Sequence, residues 1–205
     1  MEVLATERQA IAEHGKRVEY FTVAWNTLEG LAAVISGLMA GSVSLLGFGI
    51  DSFIEVISGS ALLWRMSVDA DERTRERKER LSLRIVGICF IALAVYVALE
   101  SASDLLSKGR PEPSIPGIVL ACVSLVVMPL LSRAKKRVGR SLSSAAMHAD
   151  ARQTDFCVYL SAILLAGLLL NTALGWWWAD PLAALIMVPI IAKEGINGIK
   201  AQRCC

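Results

Sequence analysis

Residues 41–66 read G-S-V-S-L-L-G-F-G-I-D-S-F-I-E-V-I-S-G-S-A-L-L-W-R-M. As a helix this run is long enough to cross a bilayer, which takes roughly 20 apolar residues. Yet Asp51 and Glu55 lie well inside it. Residues four apart share a helix face, so the two acids point the same way, about 6 Å apart along the axis. An acid at mid-bilayer costs on the order of 3 kcal/mol on insertion scales. A helix with lipid on that side would not keep two. The face must therefore turn into a polar interior built by other helices, where protons or a bound cation offset the charge.

The rest of the chain supplies the partners. Of the 205 residues, 55% are hydrophobic, above the roughly 45–50% usual in soluble domains. Apolar segments run approximately over 21–40, 43–66, 85–106, 115–131, 151–176 and 181–192. Arg8, Lys16 and Arg17 precede the first, and Arg65, Arg73, Arg75, Arg77, Lys78, Arg80 and Arg84 lie between the second and third. Arg133, Lys135, Lys136, Arg137, Arg140 and Arg152 separate the fourth from the fifth, and Lys193, Lys200 and Arg203 follow the sixth. The other connections hold only Lys108 and Arg110. Such alternation predicts an all-α, multi-pass integral membrane protein with six transmembrane helices and cytosolic N- and C-termini. Residues 1–20 then form a cytosolic N-terminal segment, 21–192 the membrane domain, and 193–205 a short cytosolic tail ending Cys204-Cys205. The plasma (inner) membrane is the expected location. The formal net charge of +2 is too small to argue for nucleic acid.

Local signals refine the picture. Residues 1–20 lack an early apolar stretch, so no cleavable signal peptide is expected. The highly charged stretch 69–84 reads as a solvated cytosolic helical extension. Gly37 and Gly41 form a G-x-x-x-G, which permits close helix approach but here runs into a turn. Pro116 suits the first turn of the fourth helix, and Pro129 is positioned to kink it. Trp176, Trp177 and Trp178 mark an interface belt. Asp180-Pro181 reads as an N-cap followed by proline at the first helical position. The five cysteines suggest no disulfide framework.

Paired membrane acids point to cation binding, proton relay or both. Oxygen ligands alone suit magnesium or calcium, whereas added nitrogen or sulfur favours transition metals. The start of the fifth segment, M-H-A-D-A-R-Q-T-D-F-C, supplies such donors. Gln153 and Cys157 share a face, with Asp150 on the same side and Asp155 pointing elsewhere. An antiparallel pair of the second and fifth helices would set Asp51 and Glu55 opposite Gln153 and Cys157. The plainer readings are a structural polar contact for the acids, a small packed hydrophobe for Cys157 and an ordinary interfacial residue for His148. Glu29, with Asn26 three residues before it, is a further buried candidate for the metal or proton path. Cys204 and Cys205 could capture soft metal or form a harmless tail.

The second-segment run, the Ala149-Asp150-Ala151 start of the fifth and the W-A-D-P-L-A-A-L start of the sixth together resemble the cation diffusion facilitator family. The likeness covers about 21–192 in order, and it looks like the short six-helix, transmembrane-protein-163-like branch that lacks a C-terminal cytosolic domain. It implies export of a divalent metal in exchange for protons, with Asp51 and Glu55 matching the second-helix ligands, and it favours a homodimer. Relatives usually offer His-x-x-x-Asp on the fifth helix. Here Gln153 and Cys157 take those positions without gaps, while a gapped alignment keeps Asp155 as the acid; His148 remains a candidate at the entrance. Cysteine for aspartate tilts preference toward softer ions such as zinc, cadmium or cobalt.

The expected function is thus a divalent transition-metal carrier between lipid-embedded helices 2 and 5, with metal as substrate, protons as coupling ion and no prosthetic group. Protons and metal compete for the same buried carboxylates, and no G-x-x-x-x-G-K-[ST] suggests a nucleotide engine. The rival is a non-transporting metal sensor or interaction scaffold. An enzyme is not expected: His14 and His148 complete neither H-E-x-x-H nor a Ser-His-Asp set.

Overall fold

The computed structural model describes residues 2–67, 72–107, 111–142 and 144–200, with side chains described outside 2–8, 65–67, 72–83, 145, 146 and 149. Six helices follow in order: α1 Glu2–Ala40, α2 Val43–Ser67, α3 Glu72–Ser107, α4 Ile115–Leu142, α5 Ala145–Leu174 and α6 Ala179–Ile199. No strand occurs among the described residues. All six are long and apolar enough to cross a membrane. The helices outrun their apolar segments: α1 begins far before residue 21, α4 passes 131 and α6 passes 192. Polar flanks continue a helix readily once its backbone bonds are running, because each added residue completes one more hydrogen bond. Of the charged stretch 69–84, residues 72–84 belong to α3 and 69–71 lie outside the described residues.

Three connections meet at one end of the bundle. Gly41 adopts φ 62 and lets Ser42 N–H reach back to Gly37 O at 3.0 Å, the closure of a helix by a left-handed glycine. Of the expected G-x-x-x-G, Gly41 makes this turn, while Gly37 packs so near α2 that a Cβ would lie 2.9 Å from Leu46 Cγ. The α3–α4 connection joins the same end, with Glu112 N–H donating to Ala40 O at 2.7 Å and Asn171 Nδ2 donating to Pro111 O at 3.0 Å. Pro116 is the second residue of α4, as expected, and Pro129 lies inside that helix. The rings of Trp176 and Trp178 stack 4.9 Å apart there. The opposite end carries the basic segments and the two helical termini of the chain.

Asp180 does not cap its own helix. The N-cap position belongs to Trp178, which makes no side-chain capping bond. Instead the buried Asp180 carboxylate reaches across to α2. It accepts from Ser42 Oγ at 2.7 Å, from Ser44 Oγ, and from Ser44 N–H at 3.5 Å. A negative charge at the start of α2 also meets the positive end of that helix's dipole, so one carboxylate ties α6 to α2.

α2 is the most central helix, packed against α1, α3, α5 and α6, while α4 lies against α1 and α5. Phe48, Phe90, Phe156, Leu160, Leu164, Leu168, Met187 and Ile191 fill the apolar core. Near the basic end α3 and α6 almost touch: a Cβ on Gly87 would lie 2.6 Å from Ile199 N. Leu28, Ile35, Ile88, Val119, Leu130 and Ile186 face outward. Apolar outside and polar between helices is the arrangement a bilayer demands. The protein is a multi-pass integral membrane protein.

Candidate metal centre

Two turns of α2 and one of α5 build the centre. Asp51 and Glu55, each 1% exposed, stand four residues apart on the α2 face that packs on α5. From α5 the Cys157 Sγ–H lies 3.1 Å from Asp51 Oδ2 and 2.8 Å from Glu55 Oε2, within donating distance of both. Thr154, one turn earlier, donates to Glu55 Oε1 at 2.7 Å and also lies 3.3 Å from the Asp150 carbonyl. Neither carboxylate has a basic partner among the described residues. Asp51 Oδ1 receives no hydrogen bond at all. Two carboxyl groups and one thiol therefore converge on one buried point with no ion pair to either acid among the described residues.

The centre is held by hydrogen bonds and is not a finished cage. Among the described residues no three or more His, Cys, Asp or Glu are spaced to hold a metal ion. The Cys157 sulfur lies within donating distance of both carboxylates, so a metal bound to all three would have to displace the thiol proton.

A second polar patch lies on α1. Glu29 is buried and accepts from Ser52 Oγ at 3.2 Å, while its Oε1 has no partner. Both amide atoms of buried Asn26 are also without partners. Because Ser52 follows Asp51 directly, this patch adjoins the centre. Ser124 and Ser161, bonded at 2.9 Å, add hydroxyls from α4 and α5.

The remaining sequence candidates fall elsewhere. Gln153 is buried, but its Nε2 has no partner, and Thr154 rather than Gln153 meets Glu55. Asp155 accepts from Ser132 on α4 and pairs with Lys136 at 2.5 Å, away from the centre. His148 rests its ring against Gly139, where a Cβ would come within 3.3 Å; nine residues separate it from Cys157, about 13 Å along a helix. Cys204 and Cys205 lie outside the described residues.

Asp150 has a partner the sequence concealed. Lys135, counted above among the loop charges, sits inside α4 with no exposure. Its ammonium pairs with Asp150 Oδ2, donates to Glu19 Oε1 at 3.3 Å and lies 3.2 Å from Glu19 Oε2. Glu19, assigned above to the N-terminal segment, is equally buried. Charges so long-stemmed are almost never fully buried unless paired, and the pairing is invisible along one strand of sequence.

A six-helix membrane bundle with paired acids at its centre defines the class of a small polytopic membrane domain with a polar interior. The cation efflux transmembrane domain profile matches residues 21–202, and the chain belongs to that family. Transmembrane protein 163 of Xenopus laevis is 25% identical over 186 residues, 88% of this chain and 64% of that protein. The cation-efflux pump FieF of Shewanella oneidensis is 25% identical over 170 residues, 80% of this chain and 57% of the pump. The magnetosome protein MamB of Paramagnetospirillum magneticum is 27% identical over 169 residues, with the same coverage of 80% and 57%. The chain thus spans between half and two thirds of the length of these relatives.

Proposed function

We propose that the protein moves divalent transition-metal ions of the zinc, cadmium and cobalt class across the membrane in exchange for protons. The observation that carries this reading is the meeting of Asp51, Glu55 and Cys157 in a buried place, with no ion pair to either acid among the described residues. Two oxygen donors and one sulfur suit a borderline or soft dication better than magnesium or calcium. Metal binds the thiolate and the ionised carboxylate, so loading the centre expels the thiol proton and any proton on the acids. Unloading takes protons back. Exchange of one for the other needs no nucleotide.

Membership of the cation efflux family supports transport over catalysis. The distribution of Lys and Arg supports a cytosolic basic end, and membership of the cation efflux family supports export as the direction. The acids lie between helices anchored at opposite ends, the geometry in which rocking exposes a fixed site to each side in turn.

Proteoliposomes under a proton gradient test this. Wild type should accumulate zinc or cadmium, and Asp51→Ala and Glu55→Ala should not. Equal uptake by both variants would remove the centre as the transport site. Metal binding without flux in wild type would instead mark a sensor or scaffold.

A further inference from the structure

Lys135, Glu19 and Asp150 form a closed group of one base and two acids, contributed by α4, α1 and α5. All three are buried. The group has more acceptor capacity than its ammonium fills: Asp150 Oδ1 receives no hydrogen bond, and Glu19 Oε2 has only the ion-pair approach of the ammonium at 3.2 Å. Glu19 also presses on α2, where a Cβ on Gly59 would lie 2.5 Å from Glu19 Oε1. Gly59 is one turn beyond Glu55, about 6 Å nearer the basic end. On α5 the Asp150 carbonyl adjoins Thr154, which in turn donates to Glu55. The triad therefore stands between the centre and the basic end, bounded by α1, α2, α4 and α5.

Buried ion pairs add little stability compared with apolar packing, and their best-attested use is in registers and switches. Two buried carboxylates from separate helices, closed on one positive charge, are also the donor set of a divalent cation. A lysine stem is flexible and its ammonium favours water, whereas both acids are fixed on helices. α4 continues from Lys135 toward the basic end, which gives the ammonium a direction in which to withdraw.

We propose that Glu19 and Asp150 form a second cation site, a vestibule to the centre, and that the Lys135 ammonium is its tethered occupant, displaced by each incoming divalent ion. This rests on the carrier reading. Between passages the lysine offsets one of the two acid charges and keeps the vestibule shut at the basic end. A dication entering there sends the ammonium outward and then stands one turn from Glu55.

The test is cadmium binding to the full chain in lipid nanodiscs by equilibrium dialysis. Lys135→Gln should bind about one further cadmium ion per chain than wild type, since two carboxylates lose their competitor. Lys135→Gln combined with Glu19→Gln and Asp150→Asn should lose that increment. An unchanged count in Lys135→Gln would overturn the proposal. Should that variant fail to accumulate, the wild-type protein gives the answer directly. Acylation of Lys135, followed by peptide mass spectrometry, should be absent without metal and rise several-fold with cadmium. Equal labelling with and without cadmium would refute displacement. Loss of the carrier reading shows differently, as unaltered transport in Asp51→Ala and Glu55→Ala. Failure of the vestibule leaves wild-type transport and its dependence on those acids intact.

Discussion

Two groups of buried acid lie about one helical turn apart in this bundle, and they are neutralised in opposite ways. Around Lys135 the protein provides its own cation, on a stem rooted in α4. Around Asp51 and Glu55 it provides only an S–H and an O–H donor. Hydrogen bonds orient carboxylates but do not cancel their charge. The first group thus holds one built-in counter-charge for its two acids, whereas the second holds none among the described residues. Placement within the membrane does not distinguish the groups; the presence of a covalently attached counter-charge does.

The largest effect should come from the centre. Asp51→Ala or Glu55→Ala is expected to lower metal flux at least about 100-fold, since even outer-shell losses at metal sites cost 10–100-fold. A proteoliposome flux assay measures it. Next comes stability. Lys135→Ala strands two buried carboxylates and should cost about 3–5 kcal/mol, read as a fall in unfolding temperature that added cadmium partly reverses. If the melting point holds without metal, the triad is not the internally paired group described above.

Smaller changes sharpen the contrast. Cys157→Ser keeps the donor but hardens it, and should lower cadmium affinity roughly tenfold relative to zinc. Thr154→Val leaves Glu55 without its hydroxyl and should weaken metal binding by about tenfold; competition dialysis resolves both. Asp155→Asn should be nearly silent, because its half-exposed pair with Lys136 is worth at most about 1 kcal/mol. A strong transport defect there would move the metal path toward α4.

The six spans and the paired acids were legible because hydropathy and a spacing of four are properties of single segments. Cys157 was reachable by the same reasoning, since an antiparallel α2 and α5 set it opposite the acids. Lys135 and Glu19 were not. Each reads as a flank charge, and only the lengths of α1 and α4, which exceed their apolar portions, carry the two into the interior. Thr154 was passed over because a hydroxyl draws attention only when its acceptor is known, and Glu55 lies 99 residues away. Asp180 misled for the opposite reason. Its local pattern fits a cap, yet three donors from Ser42 and Ser44 at the start of α2 outcompete the cap of its own helix.

The partnership of Asp180 with Ser42 and Ser44 also orders biogenesis. The ribosome delivers α2 long before α6, so the Ser44 amide and both serine hydroxyls wait in the nascent chain without their acceptor. Gly87 of α3 waits too, since its backbone neighbour Ile199 belongs to α6. A product halted before α6 should therefore leave the Ser42 and Ser44 donors without their carboxylate, a state the bilayer penalises, and leave the Gly87 face of α3 uncovered. α6 closes both gaps when it docks.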